Sequence, residues 1–269
     1  MERKEEEARV ALETLERYSG CEASKFCQNI ILTNFPKYVT YFASHRSVEV
    51  YEGSMFKVAH CMDEDISILD FKIGSPAAAL VIDVLSFLPI KTAIFLGMCG
   101  GLRKRYNVGE YLVPVAAIRG EGTSDYYFPS YVPALANFLM QKAVTNILEL
   151  EKSLYHVGIS FTTNRRFWEF NDQFIEKLKR SKAQAIEMEC ATLFTASYAK
   201  KFTLGSLLLI SDLPLKKDGV KTKSSSEFVF DQYTADHVEK GIRILKAARD
   251  MVDQKVKGYY HSEEEDQEK

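Results

Sequence analysis

The 269-residue chain lacks most of the features that would mark a metal, redox or dinucleotide protein. Its five cysteines, Cys21, Cys27, Cys61, Cys99 and Cys190, form no CxxC pair, and no His/Cys cluster has zinc spacing. Neither GxGxxG nor GxxxxGK[ST] occurs, so the two common phosphate-loop fingerprints are excluded. No apolar run is long enough to cross a bilayer, and no signal-peptide pattern opens the chain. With the unpaired cysteines, this reads as a protein of the reducing cytoplasm with no membrane partner. Thirty-five basic and 37 acidic residues leave a net charge of −2, so no broad field draws it to nucleic acid. A local basic pocket for a phosphate remains compatible with that balance. Internal repeats and linker-like stretches are missing too. The expectation is therefore a helix over residues 1–20, one domain over 21–258, and an acidic, disordered tail over 259–269.

What is present is an ordinary globular composition, 46% hydrophobic and 27% charged, patterned in alternating strands and helices. Ala8, Leu12 and Leu15 form a helical stripe that Gly20 ends. "NIILTNF" predicts a strand leaving at Asn34, and "FKVAHC" with "ISILDFKIG" a hairpin turning at "DED". Ser75 reads as an N-cap before Pro76. "TAIFLG", "EYLVPVAAIRG" (bulged at Pro114), "SLYHVGISFTT", "AQAIEME" and "GSLLLISD" complete the strands. Helices are expected at 134–151, 169–181, 190–201 and 232–256. The fold class is α/β, a mixed twisted sheet flanked by helices.

Ligands in such sheets collect beyond the carboxyl ends of strands. Those ends here read "GMCGGL", "RGEGTSDYYFP", "TTNRRFWEF", "EMEC" and "SDLPL". Glu187 and Glu189 flank Met188; two like charges this close need a ligand, unless a hydrated strand end holds them. Asp212 ends an apolar strand, where burial would raise its pKa and suit it to donate a proton; capping the turn at Pro214 is the alternative. Gly97 and Gly100 permit close backbone approach, or simply a tight turn. Arg165, Arg166, Phe167 and Trp168 offer guanidinium and aromatic faces for a base or a phosphate, and Arg119, Thr123 and Ser124 offer phosphate or ribose donors. Paired carboxylates for a diol, an acid for a leaving base and a stacking surface together suit cleavage of an N-glycosidic bond, without metal or redox cofactor.

These motifs, in this order across residues 25–250, resemble the nucleoside phosphorylase/nucleosidase superfamily, and within it the AMP nucleosidase branch. "EMECAT" with "ISD" carries the superfamily likeness; "TTNRRFWE" and "SDLPLKKDGVKT" carry the branch. The resemblance implies an α/β/α sandwich assembled as a homo-oligomer, a hexamer or dimer, with sites near subunit contacts. It implies that Glu189 binds the ribose hydroxyls, Met188 packs on the sugar, Glu187 lies near the attacking water and Asp212 protonates adenine at N7. It leaves base stacking to Phe161, Phe167 or Arg166, and counts Asn164 among the substrate-binding residues. Phe95, Met98 and Tyr38 stand where phosphorylases place two arginines and a serine for inorganic phosphate, and Asn34 where other nucleosidases have an acid. Water is then the expected acceptor, and AMP the expected substrate. The length leaves no room for the extra N-terminal domain of longer AMP nucleosidases. The alternatives are a phosphorylase or nucleosidase for unphosphorylated nucleosides, and a catalytically inactive nucleotide-binding relative.

Overall fold

The run "NIILT" is apolar on both faces of a strand, and both faces are used: Ile30 and Leu32 enter one core cluster and Ile31 the other. The computed structural model describes residues 2–253. In chain order the elements are α1 (Glu2–Ser19), β1 (Asn29–Thr33), α2 (Pro36–Arg46), β2 (Val50–Glu52), β3 (Lys57–Cys61), β4 (Ile66–Asp70) and α3 (Ser75–Leu85). Then follow β5 (Thr92–Gly101), β6 (Tyr111–Gly120), β7 (Ala134–Leu135), α4 (Phe138–Leu150), β8 (Tyr155–Thr163) and α5 (Asp172–Ser181). The chain closes through β9 (Ala185–Glu187), α6 (Cys190–Ala199), β10 (Leu204–Asp212) and α7 (Lys223–Asp253).

Among the described residues the strands form one mixed sheet in the order β10-β6-β8-β9-β5-β1-β4-β3-β2, with β7 on β6. The long β5 pairs β1 in parallel through Thr92–Leu96 and β9 antiparallel at Gly100 and Gly101. It also pairs β10 in parallel. Because β10 continues to β6, β8 and β9, these five strands close on themselves. Closure brings the ends of β5, β8, β9 and β10 to one rim.

Helices cover both faces. On one side α1, α3 and α6 pack Leu15, Val81, Leu85, Leu193 and Phe194 against Phe95 and Leu208. On the other, α2, α4 and α7 pack Phe42, Val144 and Ile242 against Ile94 and Leu207. Each such fully buried side chain contributes about 1.5–3 kcal/mol of transfer free energy. The five cysteines are free and buried. No helix among the described residues is long and apolar enough to cross a membrane. The acidic tail expected at 259–269 lies outside the described residues.

Several expectations are corrected. The glycine segment is no turn: β5 runs straight through it, and a Cβ at Gly97 would lie 2.5 Å from the Phe95 ring. Ser75 is not the N-cap; Gly74 takes that place, and the Ser75 hydroxyl donates to Met188 O at 2.8 Å. Residues 134–135 are strand because Asn137, not an earlier residue, caps α4, its side chain accepting from Leu139 N and Met140 N. The helix α5 begins at Asp172 behind its Asn171 cap. The last helix starts at Lys223, nine residues early, because its first turns are too polar and exposed to show a period. Strand β2 is not among the expected strands, although "VEVYEG" alternates up to Gly53.

Candidate active site

The motif "EMEC" splits between two elements. Glu187 ends β9 and Glu189 is the N-cap of α6, so the two carboxylates do not share a strand face. Glu187 is consumed by the protein. Its Oε2 accepts from Glu189 N at 2.7 Å and Cys190 N at 2.6 Å. Its Oε1 accepts from Ser160 Oγ at 3.1 Å and from the Thr162 hydroxyl. A carboxylate on the first amides of a helix is favoured by the helix dipole, so Glu187 fixes where α6 begins. Glu189 lies between two helix starts: its Oε1 accepts from Gly74 N at 2.8 Å, its Oε2 from Met188 N at 3.3 Å, and the Asn34 side chain bonds it as well. Burial, with the charge of Glu187 beside it, pushes its carboxyl up to about 8.

At the end of β10, Asp212 Oδ1 accepts from Ser211 Oγ at 2.6 Å, which leaves Oδ2 open. Burial raises the Asp212 pKa; the Ser211 bond and the Lys221 ammonium offset part of that rise. Lys221 Nζ donates to Ser211 Oγ at 3.3 Å and lies 3.5 Å from Met98 Sδ. Desolvation lowers its own pKa. The Cys99 thiol beside them is pushed well up by burial and by the Asp212 and Glu187 charges, so it is no thiolate nucleophile.

These groups line one cleft that opens to solvent. Of the residues expected from sequence, it brings together Asp212, Glu187, Met188, Glu189, Gly100, Arg165, Arg166 and Trp168. The other seven are placed elsewhere. Gly97 packs inside the sheet. Phe161 is 1% exposed, edge-on to Phe174 in a small core under the cleft. Phe167 adopts a left-handed φ of 62° and turns outward, 70% exposed, while its neighbours Arg166 and Trp168 face the cleft. Asn164 Nδ2 donates to Glu121 O.

Arg119 has no donor left for a phosphate. Its Nε donates to Ser124 Oγ, its Nη1 to Pro129 O and Val132 O, and its Nη2 to Asp125 Oδ1 and Phe128 O. It staples the loop after β6, and Thr123 and Ser124 belong to that staple. Asn34 and Met98, singled out above as departures from related enzymes, also line the cleft, as do Phe35, Ile73, Cys99, Thr163, Glu169, Ile186, Ser211 and Lys221. The strand-end rule selects Asn34, Ser211 and Thr163 once the sheet order is known. Lys221 and Glu169 carried no independent signal. Among the described residues no cluster of His, Cys, Asp and Glu could hold a metal ion.

Residues 19–247 match the phosphorylase superfamily. The crystal structure of AMP nucleosidase from Bacteroides thetaiotaomicron superposes with a TM-score of 0.81 at 33% identity, over 92% of this chain and 99% of that one. Guanosine phosphorylase of Halorubrum lacusprofundi is 27% identical over 180 residues, 67% of this chain and 73% of its own. AMP nucleosidase of Escherichia coli K12 is 26% identical over 195 residues, 69% of this chain and only 40% of its own length.

Proposed function

This chain belongs to the phosphorylase superfamily and so transfers or hydrolyses a glycosyl group of a small nucleoside or nucleotide, and we propose that it hydrolyses AMP to adenine and ribose 5-phosphate. One observation carries the reading. A half-buried acid with a free oxygen, Asp212, shares a cleft with Met188 and Glu189.

In this reading the purine lies at Asp212 and the ribose at Met188 and Glu189. The Asp212 carboxyl gives its proton to N7 as the C1′–N9 bond breaks and its electrons enter the ring. The sugar becomes oxocarbenium-like while the Glu189 carboxyl holds its 2′- and 3′-hydroxyls in place. Water adds to C1′, and the proton it sheds returns to Asp212 through solvent. Glu187 acts through α6: it fixes the turn that presents Glu189.

Water, rather than inorganic phosphate, is supported by what fills the expected phosphate anchors. Tyr38 is fully buried, its hydroxyl 2.9 Å from His237 Nδ1, and Phe95 packs on Phe71 in the core. For the 5′-phosphate the best-placed cation is Arg165, whose guanidinium has no ion-pair partner among the described residues and which lines the cleft. Arg166 is committed to Glu169 at 2.8 Å.

The test compares AMP with adenosine. A charge-assisted contact to the phosphate is worth about 1.5–3 kcal/mol, so kcat/KM for AMP should exceed that for adenosine by about ten- to a hundredfold. Equal values remove the phosphate assignment, and no adenine from either substrate removes the reading.

A further inference from the structure

Glu169 is a carboxylate that the proposed reaction leaves unused. It sits in the short 3-10 turn Trp168–Phe170 on the cleft wall, with a side chain only 5% exposed. One oxygen, Oε1, accepts from Arg166 Nη1 at 2.8 Å. The other, Oε2, is buried with no hydrogen-bond partner among the described residues. An orphaned buried acceptor is costly, and a bound donor would recover that cost. The negative charge of Glu169 is felt at Asp212, as is the positive charge of its partner Arg166, so all three belong to the same end of the cleft.

We propose that Glu169 selects the purine by accepting a hydrogen bond from an amino group at its 6-position. This rests on the reading above, in which Asp212 meets N7. The edge of a purine that carries N7 also carries the 6-substituent: a 6-aminopurine presents an N–H donor there, a 6-oxopurine an acceptor. An ionised carboxylate accepts only. Facing a 6-oxo group, Glu169 would stay unpaired and be repelled as well, so the site rejects the 6-oxopurine by leaving its own buried group unsatisfied. Arg166, by holding Oε1, leaves the second oxygen available to the base.

Binding of the free bases tests this without relying on turnover. Calorimetry on the unmodified protein should show adenine binding about ten- to a hundredfold more tightly than hypoxanthine. Glu169→Gln, whose amide can donate as well as accept, should bring the two affinities to within about threefold of each other. With nucleotides, the ratio of kcat/KM for AMP over IMP should fall in the same variant. Equal binding of the bases by the unmodified protein, binding of neither, or an unchanged ratio in a folded Glu169→Gln overturns the inference. If the unmodified protein releases no adenine from AMP yet prefers free adenine, the hydrolytic reading fails and the base-selecting role stands.

Discussion

The Thr162 hydroxyl joins two parts of the site at once: it donates to Glu187 Oε1 and accepts from Ala191 N in the first turn of α6. The end of β8 thereby fixes both the carboxylate that starts α6 and the helix itself. Glu189, the group assigned to the sugar, is the N-cap between them. Thr162→Val keeps the shape but leaves a buried amide and a carboxylate oxygen short of a partner. Such groups cost about 1–3 kcal/mol, so denaturant unfolding should show a loss of that size. Because Glu189 depends on the same turn, kcat should fall as well. A variant as stable and active as the parent would show that this bond positions nothing.

Asp212 and Lys221 make a pH prediction. Asp212→Asn removes the proposed proton donor, and kcat should drop by about 10²–10⁴-fold with the fold intact. Lys221 favours the ionised form of Asp212, so its charge holds the Asp212 pKa below what burial alone would set. Lys221→Met should therefore raise that pKa. The alkaline limb of the kcat/KM profile, where Asp212 loses its proton, should move to higher pH. A shift to lower pH, or none, would separate Lys221 from the acid.

Arg119 should behave as a structural residue. All its donors hold the loop of residues 120–132, including three backbone carbonyls. Arg119→Lys keeps the charge but cannot reproduce a planar fork of five N–H groups. Thermal stability should fall and proteolysis in that loop should quicken, while KM for AMP stays within about twofold. A large rise in KM with unchanged stability would return Arg119 to the phosphate.

The contrast between Arg119 and Asp212 shows what the sequence could reveal. Asp212 is legible because it follows an unbroken apolar strand, and the carboxyl ends of such strands gather at one rim. The same rule finds Glu187 and Asn34. Arg119 also follows a strand, yet its fate is set by carbonyls of Phe128, Pro129 and Val132, which no side-chain pattern announces. Gly97 and Gly100 leave close backbone approach and a tight turn both open, because glycine serves either. Here Gly97 is strand interior, needed because the Phe95 ring lies against it. Phe161 and Trp168 are both aromatic residues near a strand end, and only the packing of β9 and α5 decides that Trp168 reaches the cleft while Phe161 supports it from below. Lys221 lies nine residues beyond Asp212 and returns to it by the path of the chain, which is tertiary information.

Incubation with AMP in phosphate-free buffer, followed by chromatography for free adenine, tests the hydrolytic reading most directly. The expected result is adenine and ribose 5-phosphate in equal amounts, at a rate that added inorganic phosphate does not raise. Adenine that appears only when phosphate is supplied, with a doubly phosphorylated sugar beside it, would contradict water as the acceptor; no adenine under either condition would contradict cleavage itself.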